Sequence, residues 1–200
     1  GLGTLILSGS NTYDGGTTLA GGSLRLDSLN AIGSTGTISF TGGALQFTAT
    51  NTTDYSARFS TAASQYYNLD TNGQSVTLAT ALVSSGGTLT KSGNGTLTLT
   101  TANSYTGDTT VNQGELVASG ANVLSSSSSV VVAAGATLNL NSNNQTLKLE
   151  IPKGMSHGDT VKYSGMGSSQ IPNLPPGDLF VRINIEMPAG YTLVSDTVFT

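Results

Sequence analysis

Of the 200 residues only 9% are charged, and 7 Lys and Arg stand against 11 Asp and Glu for a net charge of −4. That balance has the wrong sign and too little density for phosphate recognition, so nucleic acid is excluded as a partner. There is no cysteine, which removes disulfides and thiolate metal sites, and no apolar run long enough to cross a membrane as a helix.

The chain opens on an alternating strand, Gly3-Thr4-Leu5-Ile6-Leu7, followed by a corner carrying Asn11, Tyr13 and Gly15. Strand Ser23-Leu24-Arg25-Leu26 comes next, then a Ser-, Asn- and Gly-rich corner over 27–35. Two more strands, Gly36–Phe40 and Ala44–Phe47, flank Thr41-Gly42-Gly43. Alternation of small polar and aliphatic residues puts every aliphatic side chain on one strand face. The stretch 51–87 holds much of the aromatic content, in Tyr55–Ser60 and Tyr66–Asp70, and a further alternating strand at Gln74–Leu78. With coils of about 20–25 residues it accounts for one or two rungs.

From Gly95 the opening returns. Gly3 matches Gly95, Leu5 matches Leu97, Asn11 matches Asn103 and Tyr13 matches Tyr105. Gly15 matches Gly107, Thr18 matches Thr110 and Leu24 matches Leu116, all in one register without a gap. The copies run over 3–47 and 95–140. Strand, corner, strand, corner at a fixed offset is the signature of a solenoid, in which each coil covers the apolar face of the one before. Leu5, Leu97 and Val111 are therefore expected in a shared interior, Gly15 and Gly107 as structural turns of positive φ, and both tyrosines in corner packing. The two ends of such a coil are open strand edges, so edge-to-edge self-association is expected of them.

The run Lys91-Ser92-Gly93-Asn94-Gly95-Thr96-Leu97-Thr98-Leu99, with Asn103–Gly107 and Thr109–Leu116, resembles the autotransporter-associated β-strand repeat of secreted passenger domains. The resemblance covers about residues 1–142 and implies a right-handed parallel β-helix exported across two membranes. The chain starts on Gly1 inside a repeat, and it is expected to be a segment whose export signal lies outside it.

Near residue 143 the vocabulary changes. All five prolines, all three methionines and the single His157 lie beyond that point. A boundary is expected there, with a β-solenoid over 1–143 and a small antiparallel β module over 144–200, joined at Asn141–Asn144. The whole chain is read as all-β. Within the tail, Thr146–Ile151, Thr160–Tyr163 and Asp178–Glu186 alternate as strands.

Leu149-Glu150-Ile151-Pro152-Lys153-Gly154, Gly165-Met166-Gly167 and Pro176-Gly177-Asp178-Leu179-Phe180-Val181 are similar to the C-terminal substrate-binding domain of DnaJ-type (Hsp40) co-chaperones, over about 145–187. That resemblance implies Leu147, Leu149, Ile151, Val161, Leu179, Val181 and Ile183 as peptide-binding positions, and Gly154, Gly165, Gly167, Gly177 and Asp178 as structural turns. It implies unfolded polypeptide as partner and a cytoplasmic location. The sequence departs from the family in lacking a His-Pro-Asp signature, the zinc-binding cysteines and the strands expected before Leu147.

No catalytic constellation emerges. Asp14 and Asp108 occupy repeat-equivalent corners, where Asp is commonly a turn residue bonding its own backbone. One His without Cys or a second His does not assemble a zinc site, and no cofactor motif occurs. The reading is a non-catalytic structural β-helix, a stalk or adhesin segment, secreted or on the outer-membrane surface and facing a host-surface or matrix ligand. Two alternatives stay open: a peptide-binding chaperone-like tail, and a phage fibre or tailspike fragment.

Overall fold

The structure is a computed structural model that describes residues 1–120, 123–125, 129–133, 135–142, 145–150, 158–164 and 179–182. Its strands are β1 (Thr4–Leu7), β2 (Thr17–Leu19), β3 (Ser23–Leu26), β4 (Ile38–Phe40), β5 (Ala44–Gln46) and β6 (Tyr66–Asp70). There follow β7 (Ser75–Leu78), β8 (Thr88–Ser92), β9 (Thr96–Leu99), β10 (Thr109–Val111) and β11 (Glu115–Ser119). The last are β12 (Val130–Val132), β13 (Thr137–Ser142), β14 (Gln145–Glu150), β15 (Thr160–Tyr163) and β16 (Leu179–Arg182). Among the described residues the only helix is a single 3-10 turn, Ser56–Arg58.

The chain separates into two compact units, Gly1–Glu150 and Ile151–Thr200. The first is a parallel β-solenoid. One sheet runs β1-β3-β5-β6-β8-β10-β12 and a second runs β7-β9-β11-β13, every neighbour parallel. A third, short pairing joins β2 to β4 and continues through the parallel bridge Ile38 to Phe59. Partners one rung apart are separated by 19 positions at Thr4 and Ser23, and by 24 at Ala44 and Asn68. Coils of that length agree with the repeat reading.

Stacking makes continuous columns of like side chains. Leu5, Leu24, Leu45, Leu69, Lys91, Val111 and Val132 form one. Val76, Leu97, Leu116 and Leu138 form another, and Leu149 extends it. Leu97 and Val111 are fully buried, as expected. Leu5 is not: it is 62% exposed, because β1 is the edge strand of its sheet and pairs on one side only, with β3. A column position is buried by the rungs on both sides, so identical repeat residues differ in burial with their place in the stack. Tyr105 is fully buried while its equivalent Tyr13 is 40% exposed, for the same reason.

The two sequence copies do not occupy the same columns. Four register steps from Leu5 end at Lys91, and the column goes on to Val111, whereas Leu97 lies in the other sheet. Residues between the copies wind through a number of turns that is not whole, so the second copy begins one side further round. The 51–87 stretch is anchored by an aromatic cluster, Phe40, Phe59 and Tyr67, with Phe40 edge-on to Phe59 at 4.9 Å and to Tyr67 at 5.5 Å. Arg58 ties the same stretch to the rung before it, donating to the carbonyls of Gly36 (2.9 Å), Gly33 and Ile32 (both 3.1 Å) and Thr35.

The solenoid unit reaches past the joint at Asn141–Asn144. Strand β14, read from the sequence as the start of the tail, pairs antiparallel with β13, setting Leu147 opposite Leu140 and Leu149 opposite Leu138. The antiparallel pairing lets an alternating strand close the apolar end of the second sheet. In the second unit, β15 and β16 pair antiparallel with Val161 opposite Val181, as the antiparallel module required.

Candidate functional site

The feature common to both copies is the corner. Asn11 Nδ2 donates to Ala31 O at 2.7 Å, and Asn103 Nδ2 donates to Val123 O at 2.6 Å, each spanning twenty positions to the next rung. Asn103 also accepts from Leu82 N–H at 2.7 Å, so its amide bridges the rungs on either side of it. Tyr13 Oη lies 3.4 Å from Thr17 Oγ1, and Tyr105 Oη lies 2.5 Å from Thr109 Oγ1. These repeat-equivalent bonds satisfy polar groups where the chain leaves one face for the next.

A second repeated device is the turn glycine. Gly22 and Gly114 have φ of 68° and 65°. A Cβ on Gly114 would stand 2.4 Å from Gly95 O, and one on Gly22 would stand 2.3 Å from Gly3 O. Both the left-handed backbone and the close approach of the preceding rung require glycine. Gly15 and Gly107, expected as the turns of positive φ, do not have it. Gly107 is needed because a Cβ would meet Gly87 O at 2.7 Å and the Thr88 side chain at 2.8 Å, whereas a Cβ on Gly15 would meet nothing within 4 Å. Gly114→Ala is therefore expected to lower unfolding stability in urea by about 2 kcal/mol, and Gly15→Ala to leave it within about 0.5 kcal/mol.

Lys91 is the one charged side chain fully buried among the described residues. Alternation with Leu89 in β8 forces it inward into the aliphatic column. Its Nζ uses all three donors, to Gly93 O at 2.7 Å, Gln113 O at 3.0 Å and Ser92 O at 3.1 Å. Burial pulls its pKa down to about 8, against the opposing pull of the Asp70 and Glu115 charges. The sequence carried the signal, since Leu89-Thr90-Lys91 places Lys on the face of Leu, but a lone Lys reads by default as solvated. Tyr67 is also buried and its pKa is pushed up to about 12, with Oη 2.7 Å from Ser60 O.

Along the second sheet runs a shallow groove of about 330 Å³, lined by the turn glycines Gly95, Gly114 and Gly135 and by Thr96, Glu115, Thr137 and Lys148. Within it Glu115 accepts from Thr96 Oγ1 at 2.9 Å and from Asn139 Nδ2. Asp14 and Asp108 are exposed at their corners. Among the described residues no three His, Cys, Asp or Glu side chains converge on a point that could hold a metal ion.

Of the peptide-binding positions inferred for the tail, Leu147 is buried and Leu149 packs against the solenoid core. Val161 and Val181 are half-buried and face each other across β15 and β16, and Leu179 opposes Tyr163 in register. Ile151, Ile183, Gly154, Gly165, Gly167, Gly177, Asp178 and His157 lie outside the described residues.

The passenger-associated-transport-repeat family matches residues 1–26 and 89–118, the segments that hold the equivalent corners. The adhesin BmaC autotransporter of Brucella suis is 35% identical over 122 residues, which are 60% of this chain and 4% of that protein. The chaperone protein DnaJ of Thermoplasma volcanium is 38% identical over 60 residues, 30% of this chain and 16% of that protein. DnaJ of Xylella fastidiosa strain M12 is 37% identical over 43 residues, 22% of this chain and 12% of that protein. The chain thus spans a small fraction of each relative's length, and no solved structure matches it. Residues 1–26 and 89–118 match the passenger-associated transport repeat of autotransporters and are laid down as turns of one parallel β-solenoid.

Proposed function

We propose that this chain is a non-catalytic structural stretch of a secreted or surface-displayed autotransporter passenger, a stalk or adhesin segment. The observation that carries this is the shared use of the repeat corner: Asn11 and Asn103 make the same bond to the next rung, in the two segments that match the passenger repeat. A corner bond made to the neighbouring coil serves extension of the rod, each rung templating the next. Ordering by addition suits a chain that folds as it emerges from export. The side faces, including the groove around Glu115, would then be the surface offered to a host-surface or matrix ligand.

The test is protease shaving of intact cells that express the full gene. Surface display predicts release of solenoid fragments from unbroken cells. Solenoid found only in the protected interior contradicts it. The chaperone-like alternative gains little from β14, since Leu147 and Leu149 face the solenoid interior.

A further inference from the structure

Two Asn-Gly pairs occur in the sequence, Asn72-Gly73 and Asn94-Gly95. Both asparagines are exposed, in turns one rung apart. An Asn loses its amide when the backbone nitrogen of the next residue attacks the side-chain carbonyl carbon, and Gly offers that nitrogen with no Cβ to obstruct it. The rate then depends on whether the two groups are held.

At Asn72 both are held. Its Nδ2 donates to Phe47 O at 3.2 Å, and the N–H of Gly73 donates to Asn94 O. At Asn94 neither is: among the described residues its side chain makes no hydrogen bond, and neither does the N–H of Gly95. We propose that Asn94 is a site of spontaneous deamidation, with water as the sole co-reactant. The Gly95 nitrogen gives its proton to solvent base and bonds to Cγ of Asn94, and Nδ2 departs as ammonia. Water then opens the five-membered imide at either carbonyl, leaving aspartate or isoaspartate at position 94, with no change in oxidation state.

The isoaspartate form has a structural consequence. The Asn94 carbonyl accepts from Thr71 Oγ1 at 2.9 Å and from the Gly73 N–H. In the isomer that carbonyl leaves the main chain and becomes a branch carboxylate, while the backbone gains one carbon. The two bonds at residue 94 then lose their main-chain acceptor, while Thr71 N–H to Ser92 O and Thr96 N–H to Gln74 O hold the rungs together on either side, so the coil loosens locally at that turn.

The measurement is peptide mapping of the intact folded chain during incubation in mildly alkaline buffer, reading amide-to-acid conversion and isoaspartate at each pair. Conversion at Asn94 is expected about tenfold faster than at Asn72, a barrier difference of about 1.4 kcal/mol. In urea the two rates become similar. The Asn94→Gln chain keeps the wild-type urea midpoint and yields no product at that position. Equal rates at the two pairs in the folded chain, or an Asn94 that stays intact, overturn the assignment.

Discussion

Leu97→Ala is expected to cost about 3 kcal/mol of unfolding stability, followed by circular dichroism in urea, while Leu5→Ala costs less than about 1 kcal/mol. The two leucines are equivalent in the repeat, and a sequence comparison scores them alike. Leu97 is fully buried with Val76 on one side and Leu116 on the other, so truncation leaves a cavity walled by both rungs. Leu5 has Leu24 on one side and solvent on the other. Equal losses at the two positions would contradict the rung-by-rung account of burial.

The dependence of stability on pH is expected to peak near pH 10, rising from about 8 and falling again toward 12. Lys91 has a folded-state pKa near 8, below its ordinary 10.5. Between those values the unfolded chain holds a proton that the folded chain has released, so raising the pH favours folding. Below pH 8 both states are protonated, and the penalty for a buried ammonium is present in full. The rise is on the order of 3 kcal/mol from the size of the shift. Tyr67 acts in the opposite sense. Its ordinary value of 10.0 is raised to about 12, so above pH 10 the unfolded chain loses a proton that the folded chain keeps, and stability falls. Lys91→Met, close in volume and unable to titrate, should abolish the rise below pH 10 and leave the decline above it. A rise that persists in that variant would assign it to some other group.

What was legible in the sequence was whatever repeats. The alternation in Thr96-Leu97-Thr98-Leu99 determines which side chains point inward, and Asn103 and Tyr105 mark a corner because the same types recur at Asn11 and Tyr13. Pairing between rungs was not legible, because alternation constrains the face of a strand and leaves its neighbour open. That is why Leu5 could be matched to Leu97 by sequence yet stack in the column of Val111. The turn glycines divide in the same way. Gly15 recurs at Gly107, which marks a bend, but the positive φ sits at Gly22 and Gly114, where the preceding rung's carbonyl leaves no room for a Cβ. The boundary near residue 143 followed a real change in vocabulary. Strand β14 crosses it because an antiparallel return is available to any alternating segment that can cover Leu138 and Leu140.

In-register stacking of coils can be tested by a disulfide, since the chain has no cysteine of its own to interfere. Thr98 and Val117 are direct partners on adjacent parallel rungs and share the outward face. Adjacent strands lie about 4.8 Å apart, within the range a disulfide spans, whereas two residues further along the same face the gap exceeds about 7 Å. The chain with Thr98→Cys and Val117→Cys should oxidise to an intramolecular cross-link under native conditions, and the chain with Thr98→Cys and Ser119→Cys should stay reduced. A cross-link in the second chain and none in the first would contradict the stacked solenoid.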